Sequence, residues 1–136
     1  MISEAIYLHY LDSLLKGDKK QCTQIVSSLV ENNVPLKEIF VHLFQRSMYR
    51  IGQMWEKERC SIADEHIATK ITESLIEITT SRFLNNNKTD KLAIITCIDK
   101  EFHELGARMV AGFFEVNGWE TLYLGSNTPQ SSLIDL

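Results

Sequence analysis

The spacing of the apolar residues changes at one point along the chain, the Asn-Asn-Asn run at 85–87, and this change divides the sequence into two kinds of structure. Before the run, apolar residues recur every three or four positions, which predicts amphipathic helices. After it, the unbroken apolar stretch 92–98 is typical of a strand that is buried on both faces. We therefore predict two domains, at residues 1–86 and 87–136.

Residues that start and stop helices predict four helices in the first domain. Ser3, Asp18 and Ser61 stand where a side chain can cap a helix, and Pro35 suits a first turn. Gln21, three residues after Asp18, is the expected capping-box partner. The helices are expected to end near Gly17, Asn32, Trp55 and Leu84. The third carries an apolar stripe at helical spacing, made of Leu36, Ile39, Phe40, Leu43, Phe44, Met48 and Ile51. Short links between such helices predict an antiparallel bundle.

The second domain has the pattern of strand, helix and strand. A helix is expected from Phe102 to Val116, closed by Asn117-Gly118, and a second strand from Trp119 to Leu124. This order predicts a right-handed crossover between parallel strands. The predicted fold class is a four-helix bundle followed by the first βαβ portion of a doubly wound, flavodoxin-like parallel sheet. Because so small a sheet has open edges, we expect a second copy of the chain or further sequence to cover it, with a dimer favoured.

Charge and composition argue against several classes of function. The net charge is −4 and no basic run exceeds a Lys-Lys pair, so direct nucleic-acid binding is not expected. No apolar run approaches the roughly 20 residues of a membrane helix, and the N-terminus lacks a signal-peptide layout. The three cysteines have no C-x-x-C spacing, which favours free thiols in a reducing cytoplasm. Since no Ser-His-Asp set, phosphate-binding loop or dinucleotide fingerprint is found, we do not expect an enzyme.

The segment 101–106, Glu-Phe-His-Glu-Leu-Gly, directly follows the first predicted strand. Open α/β sheets bind ligands at this carboxyl end of their strands. His103 can ligate a metal there, and Glu101 can accept a hydrogen bond from the other ring nitrogen and so raise the basicity of the ligand. Gly106 leaves room where a bulky ligand passes close to the backbone. The alternative is a solvated helix start with a surface histidine.

A second segment places Trp55 near the end of the third helix and Glu65 in the first turn of the fourth. A helical hairpin brings such positions together although they are distant in sequence. The indole offers a flat apolar surface, and the carboxylate can accept a hydrogen bond from a ribose or adenine. The alternative is that Trp55 is a core aromatic and Glu65 a surface acid that complements the helix dipole.

The motif Glu-x-His-x-x-Gly, after a strand and preceded by a helical bundle, resembles the cobalamin-binding domains of methionine synthase and corrinoid proteins. The resemblance implies that His103 is the lower cobalt ligand, in place of the cofactor's own benzimidazole. It also implies that Glu101, where most of that family has Asp, supports the histidine, and that Gly106 is the family's glycine.

The pattern of Trp55, nine residues and then Glu65-His66 resembles the bundle of CarH/LitR-type cobalamin photoreceptors. The resemblance implies that Trp55 packs over an upper adenosyl group, that Glu65 contacts it, and that Ile62 and His66 belong to the same cofactor site. In some of these photoreceptors the residue after the tryptophan is a histidine, which ligates cobalt after illumination. In this sequence that residue is Glu56.

Three functions remain open from the sequence. The first is a sensor module that binds adenosylcobalamin and responds to light or to the cofactor, with a possible regulatory partner protein. The second is a corrinoid methyl carrier for a methyltransferase system, which would bind methylcobalamin. The third is a scaffold that holds no corrin, since the later Ser-x-Leu and Gly-Gly segments that line the family's groove for the benzimidazole tail are not in the sequence.

Overall fold

The computed structural model describes residues 1–97 and 104–136. These residues form two compact units, Met1–Arg82 and Phe83–Leu136. The division falls just ahead of the Asn-Asn-Asn run at which the sequence pattern changes. The described residues of the first unit are helical, and those of the second unit form strands and helices in the predicted order.

The helices of the first unit follow the predicted order along the chain. They are α1 (Glu4–Leu15), α2 (Lys19–Glu31), α3 (Leu36–Ile39), α4 (Arg46–Glu56) and α5 (Ile62–Phe83). Between α3 and α4 lies a π-helical segment, Phe40–Gln45, which joins the two helices without a break. The third predicted helix is therefore one continuous helical stretch with a π-helical middle.

Side-chain caps start the helices where the sequence predicted them. Ser3 Oγ accepts a hydrogen bond from the Ile6 amide at 3.2 Å, and Asp18 Oδ1 accepts one from the Gln21 amide at 3.0 Å. The capping-box role of the Gln21 side chain is wrong. The Asp18 amide already donates to Ser13 O at 2.9 Å, and Nε2 of the Gln21 side chain lies 3.5 Å from Nε2 of His9.

Aromatic rings fill the core of the first unit. Phe44, fully buried in the π-helical segment, has its ring centroid 6.1 Å from that of Tyr10 and 6.0 Å from that of Phe40. Ser47 is buried in the next turn, whereas Met48, which the predicted stripe included, is half-buried. Burial raises the pKa of the Cys22 thiol to about 11, so this thiol stays protonated and unreactive at neutral pH.

The second unit contains β1 (Leu92–Thr96), α6 (Leu105–Val116), β2 (Glu120–Gly125) and α7 (Gln130–Ile134). The strands pair in parallel, from Leu92 opposite Glu120 to Thr96 opposite Gly125, with an irregularity between Ile95 and Thr96. This pairing confirms the predicted crossover from one strand through a helix to a parallel neighbour.

One face of this small sheet is exposed. Ala93 is buried, and α6 packs against both strands. The alternate positions, Leu92 and Ile94 of β1 with Leu122 and Leu124 of β2, are exposed. Within the described residues, the side of β1 that carries Leu92 and Ile94 therefore has no covering layer. The expectation that a second copy of the chain or further sequence covers both faces of β1 stays a prediction.

Among residues 1–97 and 104–136, no helix is both long enough and apolar enough to cross a membrane. Within the same ranges, no three His, Cys, Asp or Glu side chains are grouped so that they could hold a metal ion. The predicted metal ligand, His103, lies outside them.

Candidate functional site

Trp55 lies in the last turn of α4 and is 47% exposed, so the alternative that it is a core aromatic is wrong. The helix ends in a tight turn, in which the Glu58 amide donates to Trp55 O at 3.0 Å and the Arg59 amide donates to Met54 O at 2.7 Å. Glu58 adopts a positive φ of 56°, the left-handed conformation that closes many helices. The chain then enters α5 at Ile62, which is 51% exposed. Both apolar side chains that the resemblance assigned to the site therefore face solvent.

A reciprocal cap fixes the first turn of α5, which carries the remaining site residues of the first unit. The Ser61 amide donates to Asp64 Oδ2 at 2.9 Å, and the Asp64 amide donates to Ser61 Oγ at 3.0 Å. The hydrogen bond from the Ser61 amide is the main cause that lowers the pKa of the Asp64 carboxyl, and the Ser61 side chain lowers it further. The position of Glu65 on the helix is thereby set by local hydrogen bonds.

The Glu65 carboxylate is held by two neighbours. Its Oε1 accepts a hydrogen bond from Thr69 Oγ1 at 3.1 Å, and its Oε2 lies 2.9 Å from Nδ1 of His66. The Glu65 side chain is only 17% exposed, so it is not the solvated surface acid of the alternative interpretation. Thr69 was not singled out from the sequence, although a polar residue four positions after an acid on a helix is a signal for such a contact.

Gly106 lies in the first turn of α6 and is exposed. A Cβ atom built at this residue would meet no atom of the described residues within 4 Å. Packing among the described residues therefore does not require glycine, and none of their atoms fills the space where a Cβ would lie. Glu101 and His103, the other predicted residues of this motif, lie outside the described residues.

Glu104, next to the predicted ligand, makes contacts that sequence reasoning missed. Its Oε2 accepts a hydrogen bond from the Ser126 amide at 2.8 Å, and its Oε1 lies 3.6 Å from Arg108 Nε. The Tyr123 hydroxyl donates to Glu104 O at 3.3 Å. Since Glu104 and Ser126 are distant in sequence, no local pattern could have revealed their contact.

A cleft of about 650 Å³ lies elsewhere in the first unit, between α1 and the stretch from the π-helical segment into α4. The Arg46 guanidinium lies 3.6 Å from the centroid of the Tyr7 ring and forms an ion pair with Glu4 at 2.9 Å across this cleft. Tyr49 and Arg50 also line it, whereas none of the predicted site residues that the structure describes does.

The model of the B12 binding domain family matches residues 9–79, which is more than half of the chain. The chain belongs to this B12 (cobalamin) binding family. The matched range contains Trp55, Ile62, Glu65 and His66 and ends before the Glu-x-His-x-x-Gly motif. No curated protein matches the chain.

Two solved structures from Methanosarcina barkeri share its fold. The monomethylamine corrinoid protein is 18% identical, with a TM-score of 0.82 over 97% of this chain and 62% of that one. The methanol:cobalamin methyltransferase complex is 11% identical, with a TM-score of 0.58 over 98% of this chain and 52% of that one. At these identities the likeness establishes the fold alone, and it confirms the predicted fold class. The chain spans less than two thirds of either structure's length.

Proposed function

We propose that this B12-family chain binds cobalamin and serves as a non-enzymatic module whose bundle covers the upper face of the corrin. The adenosyl form is the favoured cofactor. Exposed Trp55 and Ile62 provide apolar surface for the ring and its ligand, and Gly106 leaves open space beside the motif that carries His103. These residues fit a large planar cofactor.

The observation that carries the choice of upper ligand is the carboxylate of Glu65. Thr69 and His66 hold this largely buried acceptor in one orientation. A methyl group offers no hydrogen bond to such an acceptor, whereas the ribose and adenine of an adenosyl group do. Because each carboxylate oxygen can accept more than one hydrogen bond, Glu65 can bind a polar upper ligand while it keeps its bonds to these two neighbours.

The remaining roles are assigned by the resemblance. His103 would ligate cobalt from below and Glu101 would orient its imidazole. Bound adenosylcobalamin would supply a weak cobalt–carbon bond, while the protein supplies orientation and shielding. Light sensing and a regulatory partner protein belong to this proposal, as does a cytoplasmic location, which fits cysteines that form no disulfide in the described structure.

The test is incubation of the purified chain with adenosyl-, methyl- or hydroxocobalamin in the dark, followed by gel filtration and visible spectra before and after illumination. Co-elution of adenosylcobalamin at a one-to-one ratio, with a spectrum that changes on illumination more slowly or to a different product than that of the free cofactor, supports the sensor. Failure of all three forms to co-elute would favour the scaffold without a corrin.

A corrinoid methyl carrier is the second candidate, favoured by the likeness of the fold to a monomethylamine corrinoid protein and to a complex with a methyltransferase. In that case the upper face must open to admit a partner enzyme. Methylcobalamin would then bind at least as tightly as adenosylcobalamin, and a methyltransferase would exchange the methyl group with the bound cofactor.

Replacing Trp55 with alanine should weaken adenosylcobalamin binding about tenfold, equivalent to about 1.4 kcal/mol, and methylcobalamin binding by less than threefold. The reason is that the indole packs on the adenosyl group rather than on the protein core. The matched control is Tyr49→Ala, because Tyr49 is an exposed aromatic of the same helix, 68% exposed, that lines the cleft instead. Equal losses for both cofactors, measured by titration in the dark, would assign Trp55 to the ring alone.

Self-association through the exposed sheet face remains a prediction. Four adjacent apolar side chains on that face, Leu92, Ile94, Leu122 and Leu124, should favour a dimer. Light scattering across a concentration series measures it, and Ile94→Lys should shift the equilibrium towards the monomer. A mass that stays monomeric at every concentration would contradict the prediction.

A further inference from the structure

Two described residues flank the segment 98–103, which carries His103, and both bind the same stretch of chain at the end of β2. On the side that precedes the segment, the Cys97 amide donates to Gly125 O at 3.0 Å. On the side that follows it, Glu104 Oε2 accepts from the Ser126 amide at 2.8 Å. Gly125, the last residue of β2, and Ser126 are consecutive, so one short stretch of chain binds the residues on both sides of the segment 98–103.

We propose that Glu104 is a positioning residue for His103, acting through its bond to the Ser126 amide. The proposal rests on the proposed function, in which His103 ligates cobalt. Successive Cα atoms across a trans peptide are about 3.8 Å apart, so fixing Glu104 restricts where the backbone of His103 can lie. A carboxylate that accepts from a backbone amide makes a stronger hydrogen bond than a neutral acceptor.

The contacts of Glu104 suit this role better than that of an ordinary helix cap. Glu104 occupies the cap position of α6, yet its side chain makes no capping hydrogen bond to that helix and reaches across to the turn after β2. The Tyr123 hydroxyl adds a second tie to its backbone oxygen. The side chain therefore joins the start of α6 to the residue after β2.

The turn is shaped to receive this carboxylate. Gly125 has a φ of +78°, which favours glycine, and a Cβ atom there would lie 3.0 Å from Glu104 Oε2. The other carboxylate oxygen faces Arg108, and the side chains of this pair are only 24% and 22% exposed. Both carboxylate oxygens of Glu104 thus have a partner within the second unit.

The experiment compares Glu104→Ala and Glu104→Gln with the control Glu115→Ala, which removes an exposed acid from the last turn of the same helix. Visible spectra of the cobalamin-loaded chain report whether nitrogen of His103 ligates cobalt. We expect Glu104→Ala to lower the histidine-ligated fraction at least twofold and the affinity about tenfold, equivalent to about 1.4 kcal/mol. Glu104→Gln, which keeps an acceptor oxygen at the same distance, should retain most of both, and Glu115→Ala should match the wild type.

A second readout does not depend on the cofactor. In the chain without cobalamin, hydrogen exchange at the Ser126 amide should accelerate at least tenfold in Glu104→Ala and stay unchanged in Glu115→Ala. If Glu104→Ala does not fold, Glu104→Asp takes its place, since it keeps the charge but is one methylene shorter.

The outcomes separate the two proposals. A wild-type chain that binds no cobalamin refutes the proposed function, and the Ser126 exchange rate then decides by itself whether Glu104 holds the segment. A folded Glu104→Ala chain with an unchanged histidine-ligated spectrum overturns the positioning role, even if its melting temperature falls.

Discussion

Cobalamin bound to a His103→Ala chain is expected to show a water-ligated or benzimidazole-ligated spectrum instead of a histidine-ligated one. The imidazole supplies the lower nitrogen in our proposal, and no other histidine lies in the second unit's sequence. Loss of an outer-shell partner of a metal ligand costs roughly 10–100-fold in affinity, so loss of the ligand itself should cost at least as much. Titration in the dark measures both the spectrum and the affinity.

The matched control for this prediction is His42→Ala. His42 is an exposed histidine of the π-helical segment and lines the cleft of the first unit. Its removal takes the same imidazole from the chain without touching the motif after β1, so spectrum and affinity should stay at the wild-type values. A His103→Ala chain that binds cobalamin as the wild type does, with the same spectrum, would refute the assignment.

The order and limits of the elements could be predicted because their determinants are local. Ser3, Asp18 and Ser61 cap helices within three residues of themselves, and the sequence shows each cap beside the helix it starts. The parallel pairing of β1 and β2 follows from chain geometry once a helix lies between them.

What the sequence did not predict depends on contacts that are distant along the chain. The π-helical segment carries no distinctive residue that would have revealed it. The apolar stripe included Met48, which is half-buried, and left out polar Ser47, which is fully buried. The sequence around Gln21 matches a capping box, but the backbone oxygen of Ser13 already accepts the hydrogen bond from the Asp18 amide.

The candidate site, too, could be predicted from the sequence only in part. The sequence singled out Trp55 and Glu65 and left their exposure open, because a helical pattern alone does not separate a core aromatic from an exposed one. The exposure of Trp55, the near-burial of the Glu65 side chain and the orienting bond from Thr69 became visible only in three dimensions. The contact between Glu104 and Ser126 joins the start of α6 to the residue after β2, which only the folded unit brings together.

Replacing glycine with alanine should have opposite effects on stability at two positions of the second unit. Gly118→Ala should destabilise the unit by about 3 kcal/mol or more. Gly118 has a φ of +87°, and the left-handed conformation costs other residues about 1–2 kcal/mol. In addition, an added Cβ would overlap the backbone oxygen of Asn87 and lie 3.2 Å from the Cα of Lys88. Backbone atoms cannot move aside as a flexible side chain can, and the Gly118 oxygen also accepts the Thr89 amide at 2.9 Å.

Gly106→Ala should leave stability within about 1 kcal/mol of the wild type, or raise it, because alanine is the better helix former. No described atom lies where its Cβ would be. The same methyl group should nevertheless weaken cobalamin binding, since it fills the space that we assign to the cofactor. The change in stability is measured by urea unfolding, followed by the fluorescence of Trp119 in a Trp55→Phe background. Trp119 reports on the second unit because its ring packs edge-on against Phe114, with the ring centroids 4.9 Å apart. If Gly106→Ala lost as much stability as Gly118→Ala, the glycine at position 106 would be required for folding. If Gly106→Ala bound cobalamin with unchanged affinity, the glycine would not be required for the ligand.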